Sequence, residues 1–224
     1  MIVIYHIESR RSERVVWLLE ELGVDYELKF IPGDLAASRA QMLASEHPYA
    51  MAPVVRDGEE WLVESGAILE TLLNRYGRGR LRPTVDSPEH PVYLQWLHFA
   101  EATLLARSQQ EAMVRLVPPE QAQHFPPRQD ASLRLTKYVD DTLAERPWFA
   151  GSAFSAADIM MHYPLRICLS VAGGRDGTPT RLIQPDAQCL EPYAHIRDWL
   201  YRVAARPAFQ RMRAVSMPTG WPSR

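Results

Sequence analysis

IVIYHIESRRSERVVWLLEELG, residues 2–23, changes period partway along, and that change decides the fold. Ile2 to Tyr5 form a β-branched and aromatic run, the pattern of a short strand buried on both faces. From Arg10 onward the apolar residues Val15, Leu18, Leu19 and Leu22 recur at helical spacing, with Glu13, Glu20 and Glu21 on other faces and Gly23 placed to end the helix. The stretch reads as strand, turn, helix. Its polar turn sets Ser9, Arg10, Arg11 and Ser12 at the positive end of the helix dipole.

Working outward, residues 26–31 read as a second strand and 34–45 as a weaker helix. A hairpin over 53–55 and 61–63 follows, turning around Asp57 and Gly58, and then a helix over 65–76. The order β-α-β-α-β-β-α implies a small mixed sheet with helices packed on it, a first domain over 1–78. The segment GRGRLRPTVDSPEHP, 77–91, has the composition of an exposed connection. Beyond it only helical patterns remain, over 92–116, 129–145, 155–171 and 192–205, so the second domain, 89–224, is expected to be all helical. The segment 172–188 reads as a loop, longer than the ~12 to 15 residues usual in compact domains.

With 224 residues, 46% hydrophobic content and a net charge of −2, the chain can bury a core. It carries no field that would draw nucleic acid or an anionic membrane. Cys168 and Cys189 have neither disulfide-framework nor metal-ligand spacing, and His98 and His162 likewise lack ligand spacing, so no metal is expected. No run approaches the ~18 apolar residues of a membrane span, and a reducing cytoplasmic location is expected.

Three further motifs carry more than architecture. In APVV, 52–55, Pro53 opens a strand, where a proline suits a strand edge or a turn that presents backbone groups to a ligand. In ESGAI, 64–68, Ser65 reads as a helix N-cap beside amides that can bind an anion. In FSAADI, 154–159, Ser155 and Asp158 form a capping-box-like pair, with Phe154 and Ile159 as a staple, a folding element rather than a chemical one.

These motifs, in this order, resemble the cytosolic glutathione transferase superfamily over residues 1 to about 165, and RVAARPAF, 202–209, is similar to that family's last helices. The resemblance implies a thioredoxin-like first domain and glutathione as co-substrate, with no other cofactor. It also implies a cis peptide before Pro53 and main-chain pairing of the tripeptide with Ala52. Ser65 and its helix terminus would take the γ-glutamyl carboxylate, and Glu64 the ammonium.

Such an enzyme needs a thiolate near pH 7 from a thiol of pKa ~8.5, and a two-unit shift requires ~2.7 kcal/mol. One hydroxyl hydrogen bond and a helix terminus can supply that. Counting back from Arg14, Ser9 falls where serine-type members place their activating hydroxyl, and it is the expected catalytic residue, with the N-cap of the first helix as its structural role. Tyr5 is the alternative by resemblance to tyrosine-type members. Arg10 stands where related members have Ser or Cys, and its guanidinium is a third means of stabilising the sulfur. Ser12 reads as surface or as a second cap. HPYAMAP, 47–53, lacks the lysine that members often carry for the glycyl carboxylate, leaving Arg11 or Arg39 as substitutes.

Tyr93, Trp96, Phe99 and Glu101 share a helix whose periodicity makes them core-facing or dimer-facing by default. The functional reading is an apolar electrophile pocket lined by Tyr93, Trp96 and Tyr163, with Arg166 and the 172–188 loop completing it. The resemblance implies a glutathione transferase attacking a hydrophobic electrophile, working as a homodimer in detoxification. The alternatives are a glutathione-dependent disulfide-bond reductase and a non-catalytic relative that only binds or regulates.

Overall fold

The computed structural model describes residues 1–45, 47–49, 51–115, 117–122, 131–173 and 190–218. It divides into two compact units, Met1–Leu81 with Val203–Arg224, and Arg82–Arg202. The contiguous halves 1–78 and 89–224 are therefore not the packing units, because the last helix packs with the first unit.

In the first unit, β1 (Ile2–Tyr5), α1 (Glu13–Leu22), β2 (Tyr26–Lys29), α2 (Leu35–Leu43), β3 (Val54–Asp57), β4 (Glu60–Leu62) and α3 (Ser65–Tyr76) follow the expected order. The sheet runs β2-β1-β3-β4, with β1 parallel to β2 and antiparallel to β3. Gly58, at φ 64°, opens the two-residue hairpin between Asp57 and Glu60, a position that glycine fills without steric cost. The sheet joins α1 and α3 in a core of Ile2, Ile4, Val15, Val16, Leu18, Leu19, Val55, Leu69 and Leu72.

Helix α1 is apolar on more sides than a sheet alone would cover, and α10 (Pro207–Ser216) accounts for the rest. Trp17 is buried edge-on against Phe209, with ring centroids 4.8 Å apart. Arg206 donates from Nε and Nη2 to the two oxygens of Glu21, at 2.7 and 2.8 Å, and Arg211 Nε donates to Glu20 at 2.7 Å. These pairs hold α10 to α1 across more than 180 residues of chain.

The second unit is helical among its described residues. Helix α4 (His90–Phe99) continues without a break through a π-helical section, Ala100–Leu105, into α5 (Ala106–Arg115), where a single helix was expected. Short α6 (Pro119–Ala122), α7 (Ala131–Glu145), α8 (Ala156–Gly173) and α9 (Ala194–Ala204) complete it. The segment expected as a loop over 172–188 begins inside α8, and its residues 174–188 lie outside the described residues.

Asp158, fully buried in the first turn of α8, joins three parts of this unit. Oδ1 accepts from Phe149 N at 3.1 Å and Trp199 Nε1 at 3.0 Å, and Oδ2 accepts from Ser155 N at 3.0 Å and Ser155 Oγ at 3.2 Å. The expected capping box thus also pins α9 and the chain preceding α8. Burial nonetheless pushes the Asp158 carboxyl up to about 6.

Candidate functional site

Strand register gathers the singled-out residues of the first unit at one end of the sheet. Tyr5 pairs with Val54, so the turn leaving β1 lies beside the peptide entering β3, and that peptide, Ala52-Pro53, is cis. Val55 pairs with Leu62, so the junction from β4 into α3, which holds Glu64 and Ser65, falls at the same end. Ser9 lies 43 residues from Ala52 and 56 from Ser65 in sequence, and three strands reunite them.

The turn before α1 is held from below. His6 has no exposure, and its Nε2 donates to the Ser216 carbonyl at the end of α10, at 2.9 Å. Its Nδ1 is thereby the ring acceptor and takes the Ser12 hydroxyl, at 2.8 Å. Ser12 Oγ also accepts from Ile7 N at 3.2 Å. Ser12 is therefore buried and not a surface residue, because its hydroxyl closes the turn on itself. It occupies the N-cap position of α1 without a side-chain cap bond.

Burial lowers the His6 pKa to about 4, so the ring stays neutral where a free histidine charges. A histidine depressed in the folded state contributes stability above its unfolded pKa that is lost as pH falls toward the folded one. From pH 7 to pH 5 the protein should lose about 2 kcal/mol through this group. Urea unfolding followed by tryptophan fluorescence checks it, with the pH slope flatter by that amount in His6→Phe.

Ser9 sits in this turn at φ 58°, a left-handed backbone that non-glycine residues seldom adopt. It is half-buried and does not cap α1, which starts at Glu13 rather than near Arg10. The first amides of α1 are already paired: Glu13 N to Arg10 O, Arg14 N to Arg11 O, and Val15 N and Val16 N to Ser12 O. The helix terminus thus contributes its dipole here rather than free amides. The Ser9 hydroxyl already points at a sulfur, donating to Met217 Sδ in a long contact of 3.9 Å.

Arg14 is buried inside α1 and donates from Nη1 to Ser65 Oγ at 2.9 Å, tying the two helices together. The contact takes a lone pair of the hydroxyl and leaves its proton to donate. Ser65 is the first residue of α3, and Glu64 rather than Ser65 stands at the N-cap position, at φ 67° and ψ 110°. The Ser65 hydroxyl, the leading amides of α3 and the buried Arg14 charge make a place for a carboxylate. Glu64 is exposed beside it and accepts the Tyr49 hydroxyl on Oε1, at 2.6 Å.

Arg10 is exposed and donates to the Ser9 carbonyl at 3.0 Å, bracing the turn from outside. Arg11 is half-buried in the same turn, and Arg39 is exposed on α2. Tyr5 lies on the sheet, its ring 5.8 Å from Trp61 and beneath Lys29.

In the second unit Tyr93, Trp96 and Tyr163 are 0%, 1% and 5% exposed. Trp96 stacks on Tyr138 at 5.5 Å and packs against Phe99 and Phe149 at 5.0 and 4.8 Å. Its ring packs in the core of the second unit. Arg166 sits over the Tyr163 ring, 5.6 Å from its centroid. A surface cavity of about 540 Å³ at the far end of α1, bordered by Leu19, Tyr26, Phe30 and Arg211, includes none of the expected site residues. Among the described residues no cluster of three His, Cys, Asp or Glu side chains could hold a metal ion.

His6 and Tyr49 were not expected at this end of the sheet, and Ser12 was expected there as surface or a second cap rather than as a buried partner of His6. A histidine interrupting the apolar run IVIYHI was the one available signal for the first.

The family model for the glutathione S-transferase N-terminal domain matches residues 1–74. Glutathione S-transferase 3 of Schizosaccharomyces pombe is 33% identical over 224 residues, covering 93% of this chain and 85% of that protein. Among solved structures, a glutathione S-transferase from Actinobacillus pleuropneumoniae superposes with a TM-score of 0.75 at 24% identity, covering 96% of this chain and 93% of that one. A glutathione transferase family member from Pseudomonas fluorescens, solved with two glutathione molecules bound, superposes with a TM-score of 0.71 at 22% identity, covering 94% and 91%.

Proposed function

The chain belongs to the cytosolic glutathione S-transferase superfamily, and from that membership we propose how its residues divide the work of a glutathione transferase. Glutathione is the co-substrate. Its γ-glutamyl carboxylate is received by the Ser65 hydroxyl and the leading amides of α3, and its ammonium by Glu64. Its main chain pairs with Ala52 before the cis Pro53, and Arg11 serves the glycyl carboxylate. Its sulfur faces Ser9. The observation that carries this reading is the strand register, which brings the β1–α1 turn, the cis peptide and the Glu64-Ser65 junction to one end of one sheet.

The reaction is thiolate substitution or addition. The thiol gives its proton to solvent, the Ser9 O–H hydrogen bond stabilises the anion, and the anion attacks a carbon of the electrophile, either displacing a leaving group with its bonding pair or adding to a polarised double bond whose carbanion then takes a proton from solvent. Positions 1–81 contain no cysteine, so no protein thiol can share the sulfur chemistry there. That supports conjugation over exchange through a cysteine nucleophile. The electrophile is hydrophobic, and detoxification is the role that fits such a reaction.

The working form is a homodimer in the cytoplasm. The exposed apolar side chains of Ile31, Leu35, Leu43 and Met51 on the first unit support pairing, since association would cover them. Cys168 is a free buried thiol, as a reducing compartment favours.

Titrating the protein with glutathione at pH 7 tests the assignment. Saturable binding accompanied by thiolate absorbance, and turnover of an aromatic halide, are expected. Binding with no thiolate band, or turnover of a mixed disulfide alone, overturns it.

A further inference from the structure

Glu64 presents an unusual combination: an exposed carboxylate on a backbone at φ 67° and ψ 110°, outside the regions a glutamate ordinarily adopts. The backbone fixes where the side chain begins, but an exposed glutamate still has three side-chain torsions to settle before it can meet a ligand. Tyr49 settles them. Its hydroxyl donates to Glu64 Oε1 at 2.6 Å, the length of a charge-assisted O–H···O⁻ bond. Among the described residues only one lone pair of the carboxylate is used, and Oε2 is left to accept from a cation.

Tyr49 is itself anchored. Its amide donates to His47 Nδ1 at 3.1 Å, and the two rings lie 6.4 Å apart. The His47 ring packs on Trp61 at 5.6 Å, and Trp61 on Tyr5 at 5.8 Å, so the phenol is braced against the strands β4 and β1. A chain of rings thus runs from the sheet to one carboxylate oxygen.

We propose that Tyr49 is a positioning residue for Glu64, holding the carboxylate where it receives the α-ammonium of the γ-glutamyl group and so setting the preference for ligands that carry that amine. The inference rests on the glutathione reading above. It adds a residue of the 47–49 segment that touches no ligand atom and acts through Glu64 alone. The hydrogen bond from the phenol holds the carboxylate in place, and its loss returns Glu64 to a mobile surface side chain.

The test compares dissociation constants for glutathione and for its desamino analogue, in which hydrogen replaces the γ-glutamyl amine, using calorimetry on the full-length protein. In Tyr49→Phe the constant for glutathione should rise about 5- to 10-fold while that for the desamino analogue stays within about twofold. The kcat at saturating glutathione should be unchanged. Glu64→Gln should abolish the preference, and adding Tyr49→Phe to it should change nothing more. Equal weakening of both ligands, or no weakening of either, overturns the role of Tyr49 while leaving the glutathione reading intact. A wild-type protein that binds neither ligand overturns both.

Discussion

Replacing Ser9 by alanine is expected to lower kcat/KM for an aromatic halide at pH 7 by about 10²- to 10³-fold, the range seen when a lone donor to a developing anion is removed. The paired first amides of α1 make the loss this large. With Glu13 N, Arg14 N and Val15 N committed to the carbonyls of Arg10, Arg11 and Ser12, no nearby amide of that helix can replace the hydroxyl. The pH profile should move with the rate. If the bound thiol reverts toward the ordinary value of about 8.5, the acidic limb shifts up by about two units, and activity recovers at alkaline pH.

Alanine accepts φ 58° about as poorly as serine does, so stability should change by less than about 0.5 kcal/mol. Tyr5→Phe is the control. Its ring lies on the sheet between Trp61 and Lys29, and the variant should keep the wild-type profile within about twofold. The opposite pattern, with Tyr5→Phe shifting the profile and Ser9→Ala leaving it in place, would transfer the donor role to the tyrosine.

Asp158→Ala is expected to cost about 3 to 5 kcal/mol, because it strands Phe149 N, Ser155 N and Trp199 Nε1 in a buried site where each needs an acceptor. For a chain of this size the midpoint of thermal unfolding should fall by roughly 10 °C. Asp158→Asn should cost about half as much, since its amide oxygen can still accept from Phe149 and Trp199 while its NH₂ faces the Ser155 amide.

The pH dependence has a definite sign. A carboxyl raised to about 6 in the folded state contributes most when protonated, and that contribution is lost as pH rises through 6. The gap between wild type and Asp158→Ala should therefore widen by about 1 kcal/mol on going from pH 7 to pH 5. The His6 effect runs the other way but is common to both proteins, so it cancels in the difference. A gap that narrows over this interval would mean that the four donors outweigh burial and keep Asp158 charged.

The first unit was legible where local chemistry decides. The period switch at Arg10 separated β1 from α1, Asp57 and Gly58 announced a hairpin, and the acid-serine pair at 64 and 65 marked a helix start. Legibility failed wherever a side chain spends its bonds far away in sequence. Ser12 looked like surface or a second cap, yet its hydroxyl goes to His6 and Ile7, and α1 starts at Glu13 rather than near Arg10. Ser65 looked like an N-cap, but the unusual backbone of Glu64 moves the cap one residue earlier, and the Ser65 hydroxyl meets an arginine 51 residues away. Trp96 could not be placed, since helical spacing is the same for a ring in a core and a ring in a pocket.

The attachment of α10 was invisible for the same reason. Pro207 breaks the helical pattern locally, but only Glu20, Glu21 and Trp17, near the start of the chain, say where the following helix goes. During translation the ribosome must deliver the intervening 120 or so residues before α10 can emerge. Until then a nascent chain carries Trp17 and the two glutamates uncovered, a surface open to chaperones. A gene fragment ending near codon 81 would freeze the polypeptide in that state, so minimal versions of the first unit should be made by circular permutation, with residues 203–218 joined ahead of residue 1.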